Sequence, residues 1–301
     1  MNETTQPKPL DALNVAAWPM PVVWADIPAN LKAVDAALEL IDPSTDLLVL
    51  PELFSTGFIQ DEILLKEIAS ESERLTLEAM RRWASERDMA VAGSFLVERA
   101  GKYYNRAAFV EPSGKTTFYD KRHLFCLSAE STVYSQGQSL PSVISYRGWN
   151  ISMIVCYDLR FPVWCRNDGQ SYDILLVPAN WASARGYAFH QLLIARAIEN
   201  QAFVVGCNRG GADDYGTYDN ESYILNPFGY EMAPVDTTAT KGIRPMQLLA
   251  EEKPTSRPPA GLLTATFTRS ALEKVRSYLP VGRDADSFTC LLYTSPSPRD
   301  A

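Results

Sequence analysis

Apolar residues along this chain fall into short runs, separated by stretches where they recur every three or four positions. Residues 13–18 and 90–97 read as strands, and 47–50 is a Leu/Val run suited to a strand buried on both faces. Between them, Leu31, Val34, Leu38 and Ile41 give 30–41 the spacing of one helical face, and 61–86 is charge-rich and helical. Two β segments between 103 and 119 flank Glu111-Pro-Ser-Gly114, which has the chemistry of a turn. Further on, 150–156, 174–177, 203–207, 222–225 and 262–267 read as strands and 187–201 as a helix. Strands and helices alternating over the whole length predict an α/β fold, in which ligands lie at the carboxyl ends of strands.

Three of those strand ends carry chemistry. The run Asn150-Ile-Ser-Met-Ile-Val-Cys156 stops at a thiol, followed by Tyr157-Asp-Leu-Arg-Phe-Pro162, which predicts a proline-marked helix start. Glu52 closes the segment beginning at Asp46, and Lys121 closes Thr117-Phe-Tyr-Asp-Lys121. Each also has an ordinary reading: a buried cysteine behaves as a small hydrophobe, a glutamate after Leu-Pro caps the next segment, and a lysine is a solvated charge. Together, a thiol, a carboxylate and an ammonium at strand ends suit covalent hydrolysis of a carbon–nitrogen bond. Cys126, Cys165 and Cys207 have no such context and read as structural.

Composition narrows the partners. The 301 residues are 46% hydrophobic and 21% charged, enough for an ordinary core. A net charge of −8, with no basic cluster beyond Lys121-Arg122, argues against nucleic acid. No apolar run is long enough to cross a bilayer, and residues 1–9 lack the apolar stretch of a signal peptide, so the expected location is cytoplasmic. Five cysteines at unpatterned spacings describe no disulfide framework, and two histidines without a CxxC pair argue against a protein-built metal site. With no linker in view, residues 1–288 are expected to form one domain. Within it, 237–259 is read as a long surface excursion, and 289–301 as a non-native or disordered tail.

The stretches Leu50-Pro-Glu-Leu-Phe54, Tyr119-Asp-Lys-Arg-His-Leu-Phe125 and Val155-Cys-Tyr-Asp-Leu-Arg-Phe-Pro162 resemble, in the same order, the three signature segments of the nitrilase, or carbon–nitrogen hydrolase, superfamily. The resemblance runs from about residue 13 to 288. Phe161-Pro-Val-Trp-Cys-Arg-Asn167 and the segment from Ala195 to Arg209 resemble the bacterial omega-amidase branch, which hydrolyses 2-oxoglutaramate. The excursion at 237–259 is longer than that branch implies.

The resemblance implies a four-layer αββα sandwich, packing through helices into a homodimer or larger homo-oligomer. It also implies a Glu52–Lys121–Cys156 triad, with Glu130 as the second glutamate. In that scheme Glu52 is base and then acid, Cys156 the nucleophile, and Lys121 with the Tyr157 backbone N–H the oxyanion site; no metal or organic cofactor is required. The substrate is a small ω-amide bearing an α-keto acid. One of Arg160, Arg185 or Arg209 is expected to meet its carboxylate, and Asn180 and Trp181 to wall the pocket. Arg160 has an equal reading as an ion-pair partner in the turn. Rival activities on the same triad are nitrile or N-carbamoyl amide hydrolysis; a rival of another kind is a silent oligomeric scaffold.

Overall fold

A computed structural model describes residues 10–219, 221–232 and 261–286; the expectations for 237–259 and 289–301 lie outside the described residues. Chain order begins β1 (Ala12–Ala17), α1 (Ile27–Leu38), β2 (Leu47–Val49), α2 (Glu62–Arg87), β3 (Ala90–Arg99), β4 (Lys102–Val110), β5 (Thr116–Asp120) and α3 (Glu130–Val133). It continues β6 (Ile144–Tyr146), β7 (Trp149–Met153), β8 (Ile174–Ala179), α4 (Gly186–Asn200), β9 (Phe203–Asn208), β10 (Gly210–Asp213), β11 (Gly216–Asp219) and β12 (Tyr223–Leu225). The last elements are β13 (Leu263–Thr268) and α5 (Arg269–Tyr278).

Two sheets result. The first runs β13-β1-β2-β3-β4-β5 and the second β12-β9-β8-β7-β6. Each has a parallel centre, β1-β2-β3 in one and β7-β8-β9 in the other, with antiparallel strands outside it. Alternation along the strands assigns their faces. Ala16, Leu48, Val91 and Ala108 pack against Val34, Ala37 and Leu38 of α1 and Met80, Trp83 and Ala84 of α2. Their neighbours Val15, Ala17, Leu47, Val49, Ala90 and Ala92 share a second cluster with Ile151, Met153, Leu175 and Val205 of the other sheet. That cluster extends to Phe189, Leu193 and Ala197 of α4 and Leu272 of α5. Strands β8 and β9 are buried on both faces, as their unbroken apolar runs require.

Local chemistry accounts for the helix boundaries. Asp26 caps α1 by accepting from the Ala29 N–H at 2.9 Å, with Pro28 in the first turn. This starts the helix three residues before the expected 30 and ends it before 41. Asp61 caps α2 in the same way, at 2.8 Å from the Leu64 N–H.

The helix expected after Pro162 is not there. A 3₁₀ turn spans Cys156–Arg160 instead, starting on the thiol-bearing residue, and is followed by turns. The Phe161 N–H closes on the Asp158 carbonyl at 3.0 Å, so the proline ends the helical turn rather than beginning one.

Candidate active site

The carboxyl ends of four strands, β2, β5, β7 and β8, converge. Glu52 lies three residues past β2, Cys156 three past β7, Asn180 one past β8, and Lys121 one past β5. The sheets are tied together here, with the Glu52 N–H donating to the Ala179 carbonyl at 3.3 Å and the Asn180 N–H to Glu52 Oε2 at 2.8 Å.

Lys121 Nζ sits between two carboxylates, 2.8 Å from Glu52 Oε1 and 2.8 and 3.1 Å from the two oxygens of Glu130. None of the three side chains is more than 2% exposed. Glu52 Oε1 also accepts from Asn105 Nδ2 at 2.7 Å, and Glu130 Oε2 from the Phe125 N–H at 2.6 Å. Desolvating charges this completely costs several kcal/mol per ion, so such a group persists only when the ions are mutually paired and hydrogen-bonded. The Phe58 ring lies under the ammonium, 5.9 Å from Nζ, and stacks on Tyr134.

The thiol of Cys156 is buried beside this group, and its backbone is held at φ 46°, a left-handed conformation that costs a non-glycine residue about 1–2 kcal/mol. Burial pushes the thiol well above its ordinary value; the Glu52 charge adds to this and Lys121 opposes it. At neutral pH the sulfur is therefore protonated and needs a base. Burial alone would lower Lys121, but the charges of Glu130 and Glu52 overcome it and hold the ammonium well above its usual range. Glu130 is raised by burial, against the pull of Lys121 and with the push of Glu52. The chemical content is a protonated thiol next to a carboxylate that also touches a permanent ammonium.

Of the residues expected around the substrate, Trp181 is buried; its N–H is accepted by Asn208 Oδ1 and its indole N–H by the Arg185 carbonyl. The Arg160 guanidinium stacks on the Trp181 ring at 4.7 Å, and that of Arg185 on the Phe125 ring at 5.0 Å. Neither forms a carboxylate ion pair among the described residues. Tyr157 packs edge-on to Phe125 and Phe161, with its hydroxyl 3.7 Å from the sulfur of Cys126.

Arg209 differs from the other two arginines. It is fully buried, paired with Asp213, bonded to the Gly210 and Val22 carbonyls, and stacked on Tyr218. Its guanidinium is committed to holding the β10–β11 hairpin against the 20s loop, which removes it from the substrate candidates. Cys165 and Cys207 are buried among core residues, whereas Cys126 is exposed.

Sequence reasoning passed over Asn105, the Glu52 partner, and the Tyr119–His123–Asp158 group behind Cys156. Asn105 had one available signal: it is the polar position alternating with Tyr103, Ala107 and Phe109 on one face of β4. Among the described residues no cluster of three or more His, Cys, Asp and Glu is arranged to hold a metal.

Comparison with known proteins gives the family. The carbon–nitrogen hydrolase family matches residues 14–247. Omega-amidase YafV of Yersinia enterocolitica is 37% identical over 283 residues, covering 94% of this chain and 100% of that protein. The 2-oxoglutaramate amidase of Bacillus subtilis is 34% identical over 207 residues, 68% of this chain and 79% of that one. Among solved structures, XC1258 from Xanthomonas campestris superposes with a TM-score of 0.76 at 31% identity, covering 93% and 99% of the two chains. It is described as a CN-hydrolase superfamily protein with an arsenic adduct in the active site. With a matched family spanning most of its length and relatives above 30% identity across nearly all of it, this chain is an enzyme of the carbon–nitrogen hydrolase family.

Proposed function

We propose that this protein is an omega-amidase, cleaving a small linear ω-amide such as 2-oxoglutaramate to the acid and ammonia through a Cys156 thioester. The observation that carries the reading is the shared Glu52 carboxylate. One oxygen is held by Lys121 and Asn105 and the other by the Asn180 N–H, with the buried Cys156 thiol near enough for the Glu52 charge to raise it. Glu52 removes the thiol proton as sulfur attacks the amide carbon. The new oxyanion is met by Lys121 Nζ and the Tyr157 backbone N–H, an interaction of a kind worth about 2.7–4 kcal/mol per donor. As the intermediate collapses, Glu52 returns the proton to the leaving nitrogen, ammonia departs, and the acyl group remains on sulfur. Glu52 then deprotonates water, which attacks the thioester; the acid is released and the thiol regains its proton. Glu130 keeps Lys121 aimed, being bonded to it through both oxygens and itself held by the Phe125 N–H.

Arg160 and Arg185 are the residues we assign to the substrate carboxylate. Both are cations without a carboxylate partner among the described residues, and both are stacked on aromatic rings that neighbour the site. Asn180 and Trp181 wall the pocket between them. The face assignments support a four-layer αββα sandwich in one domain spanning 1–288. They are compatible with helix-mediated pairing of two copies, and the intended setting is cytoplasmic.

The test is ammonia release from 2-oxoglutaramate, glutamine, a simple nitrile and an N-carbamoyl amino acid. Turnover of the keto-amide alone supports the proposal. Turnover of the nitrile or the carbamoyl compound instead keeps the Cys156 chemistry and replaces the substrate. Silence on all four rejects the proposed activity.

A further inference from the structure

Asp158, two residues beyond Cys156, is completely buried, and its carboxylate is saturated by protein donors. Oδ2 accepts from the Val155 N–H at 3.1 Å and the Tyr119 hydroxyl at 2.7 Å. Oδ1 accepts from the His123 backbone N–H at 2.9 Å and lies 2.7 Å from His123 Nδ1. The Asp158 N–H donates back to the Val155 carbonyl at 3.0 Å. Val155 and Asp158 thus exchange two hydrogen bonds across Cys156 and Tyr157, closing the turn in which the cysteine takes its left-handed conformation. Such a conformation persists only where its surroundings over-determine it.

The other donors come from around the lysine. Tyr119 is two residues before Lys121 and His123 two residues after it. They cannot drift, because Trp164 Nε1 donates to the Tyr119 hydroxyl at 2.8 Å and the His123 ring stacks on Phe161 at 3.7 Å. One carboxylate therefore grips the backbone ahead of the nucleophile and both flanks of the ammonium-bearing residue. We infer that Asp158 is a positioning residue, whose carboxylate staples the Cys156 turn to the Lys121 segment and sets the thiol against the ammonium. The inference rests on the roles given to Cys156 and Lys121 under the proposed function.

The chemistry says why an isosteric amide will not serve. An Asn at 158 turns its NH₂ either toward Val155 and Tyr119 or toward His123. Tyr119 and a neutral His123 ring can each switch to accepting, but a backbone N–H cannot. One of the Val155 and His123 N–H groups then loses its acceptor, and one side of the staple opens.

The experiment is steady-state kinetics of Asp158→Asn with 2-oxoglutaramate, or with whichever amide of the panel the wild-type protein hydrolyses, beside Asp173→Asn. Asp173 is another buried carboxylate, paired to two arginines at the opposite end of β8. Expected for Asp158→Asn is a fall in kcat of about 100-fold with KM changed less than about threefold, the signature of misplaced reacting groups. Expected for Asp173→Asn is a comparable loss of thermal stability with kcat retained. A folded Asp158→Asn protein that keeps kcat within about threefold of wild type overturns the inference. If Asp158→Asn does not fold, His123→Phe decides, since it keeps the ring stack and deletes only the Nδ1 contact. A kcat lowered about tenfold there supports the staple, and an unchanged kcat rejects it. Cys156→Ala in the same assay separates the two levels. If Cys156→Ala is inactive while Asp158→Asn is not, only this inference fails; an active Cys156→Ala removes the mechanism beneath it.

Discussion

Strand β8 has an ionic cluster at each end, and the two are built oppositely. At its amino end Asp173 holds two arginines, Arg269 at 2.9 Å and Arg276 at 3.0 Å, and also takes the Asn150 N–H. The arginines are 27% and 18% exposed, and they spend further donors on the Gly148, Tyr172 and Gln201 carbonyls. At its carboxyl end one lysine serves two carboxylates, all of them out of water, beside a thiol in a left-handed backbone. The first cluster has cations in excess, partial solvation and both terminal nitrogens of each arginine occupied, which describes a clasp joining α5 to the sheet. The second has carboxylates in excess and side chains almost wholly shielded from bulk solvent. Ion pairing alone does not mark a reactive site; an excess of base, buried and next to a proton donor, does.

That contrast can be broken by substitution. Glu52→Gln has the largest expected effect, because it removes the carboxylate that holds the ammonium and whose charge acts on the thiol. Amide turnover should fall by roughly 10³-fold or more, within the span that base and electrostatic losses reach together. In the same protein the Glu52 charge no longer holds the thiol up, so iodoacetamide should label Cys156 at a lower pH than in wild type. Turnover and thiolate formation moving in opposite directions would identify Glu52 as base; a parallel fall in both would show that it only supports the fold.

Next in size is the acid limb. Glu130 is raised in the folded protein, so the folded state binds its proton more readily than the unfolded chain does. Between the unfolded and folded values, lowering the pH makes this group favour folding, while its neutral form releases its hold on Lys121. Activity should therefore decline on acidification before thermal stability does, measured as kcat/KM and Tm over the same pH series. A Tm that falls ahead of kcat/KM would contradict the role given to Glu130.

Smaller effects are expected at the rim. Arg160→Gln and Arg185→Gln should each raise KM for a carboxylate-bearing amide about tenfold at nearly constant kcat, as expected for loss of one charged hydrogen bond. An uncharged amide of the same length should show no change. Smallest for catalysis is Arg276→Met at the amino-end clasp, which should lower stability by about 1–3 kcal/mol in urea unfolding and leave kcat alone.

How much of this could be read from the chain depends on where the information sits. Glu52 and Cys156 were legible because each follows a strand whose apolar run is visible in the sequence, and Lys121 because it closes a short β segment. Strands β2 and β7 lie in the parallel centres of the two sheets, whereas β5 is an antiparallel edge strand that brings Lys121 in from the side. Asn105 was not legible, because its side-chain partner Glu52 is reached only through the strand order β2-β3-β4, which no local pattern in the sequence announces. The fate of Arg209 was hidden for a similar reason. Its partner Asp213 lies on the β10–β11 hairpin, a Gly- and Asp-rich stretch without the apolar alternation that announces a strand. Helix α5 buries only Leu272 and Val275, too few positions for a periodic signal. The expected helix start at Pro162 failed because a proline fixes where a helical turn can stop as well as where it can begin.

The central claim is that the acyl group passes through the sulfur of Cys156. It is tested most directly by acid-quenching the protein during turnover of 2-oxoglutaramate and measuring its intact mass, then mapping any adduct by peptide fragmentation. The account predicts a transient species heavier by the substrate less ammonia, carried on Cys156 and absent from an inactive Cys156→Ala protein. Wild-type turnover by Cys156→Ala, or an adduct carried on any other residue, would contradict it.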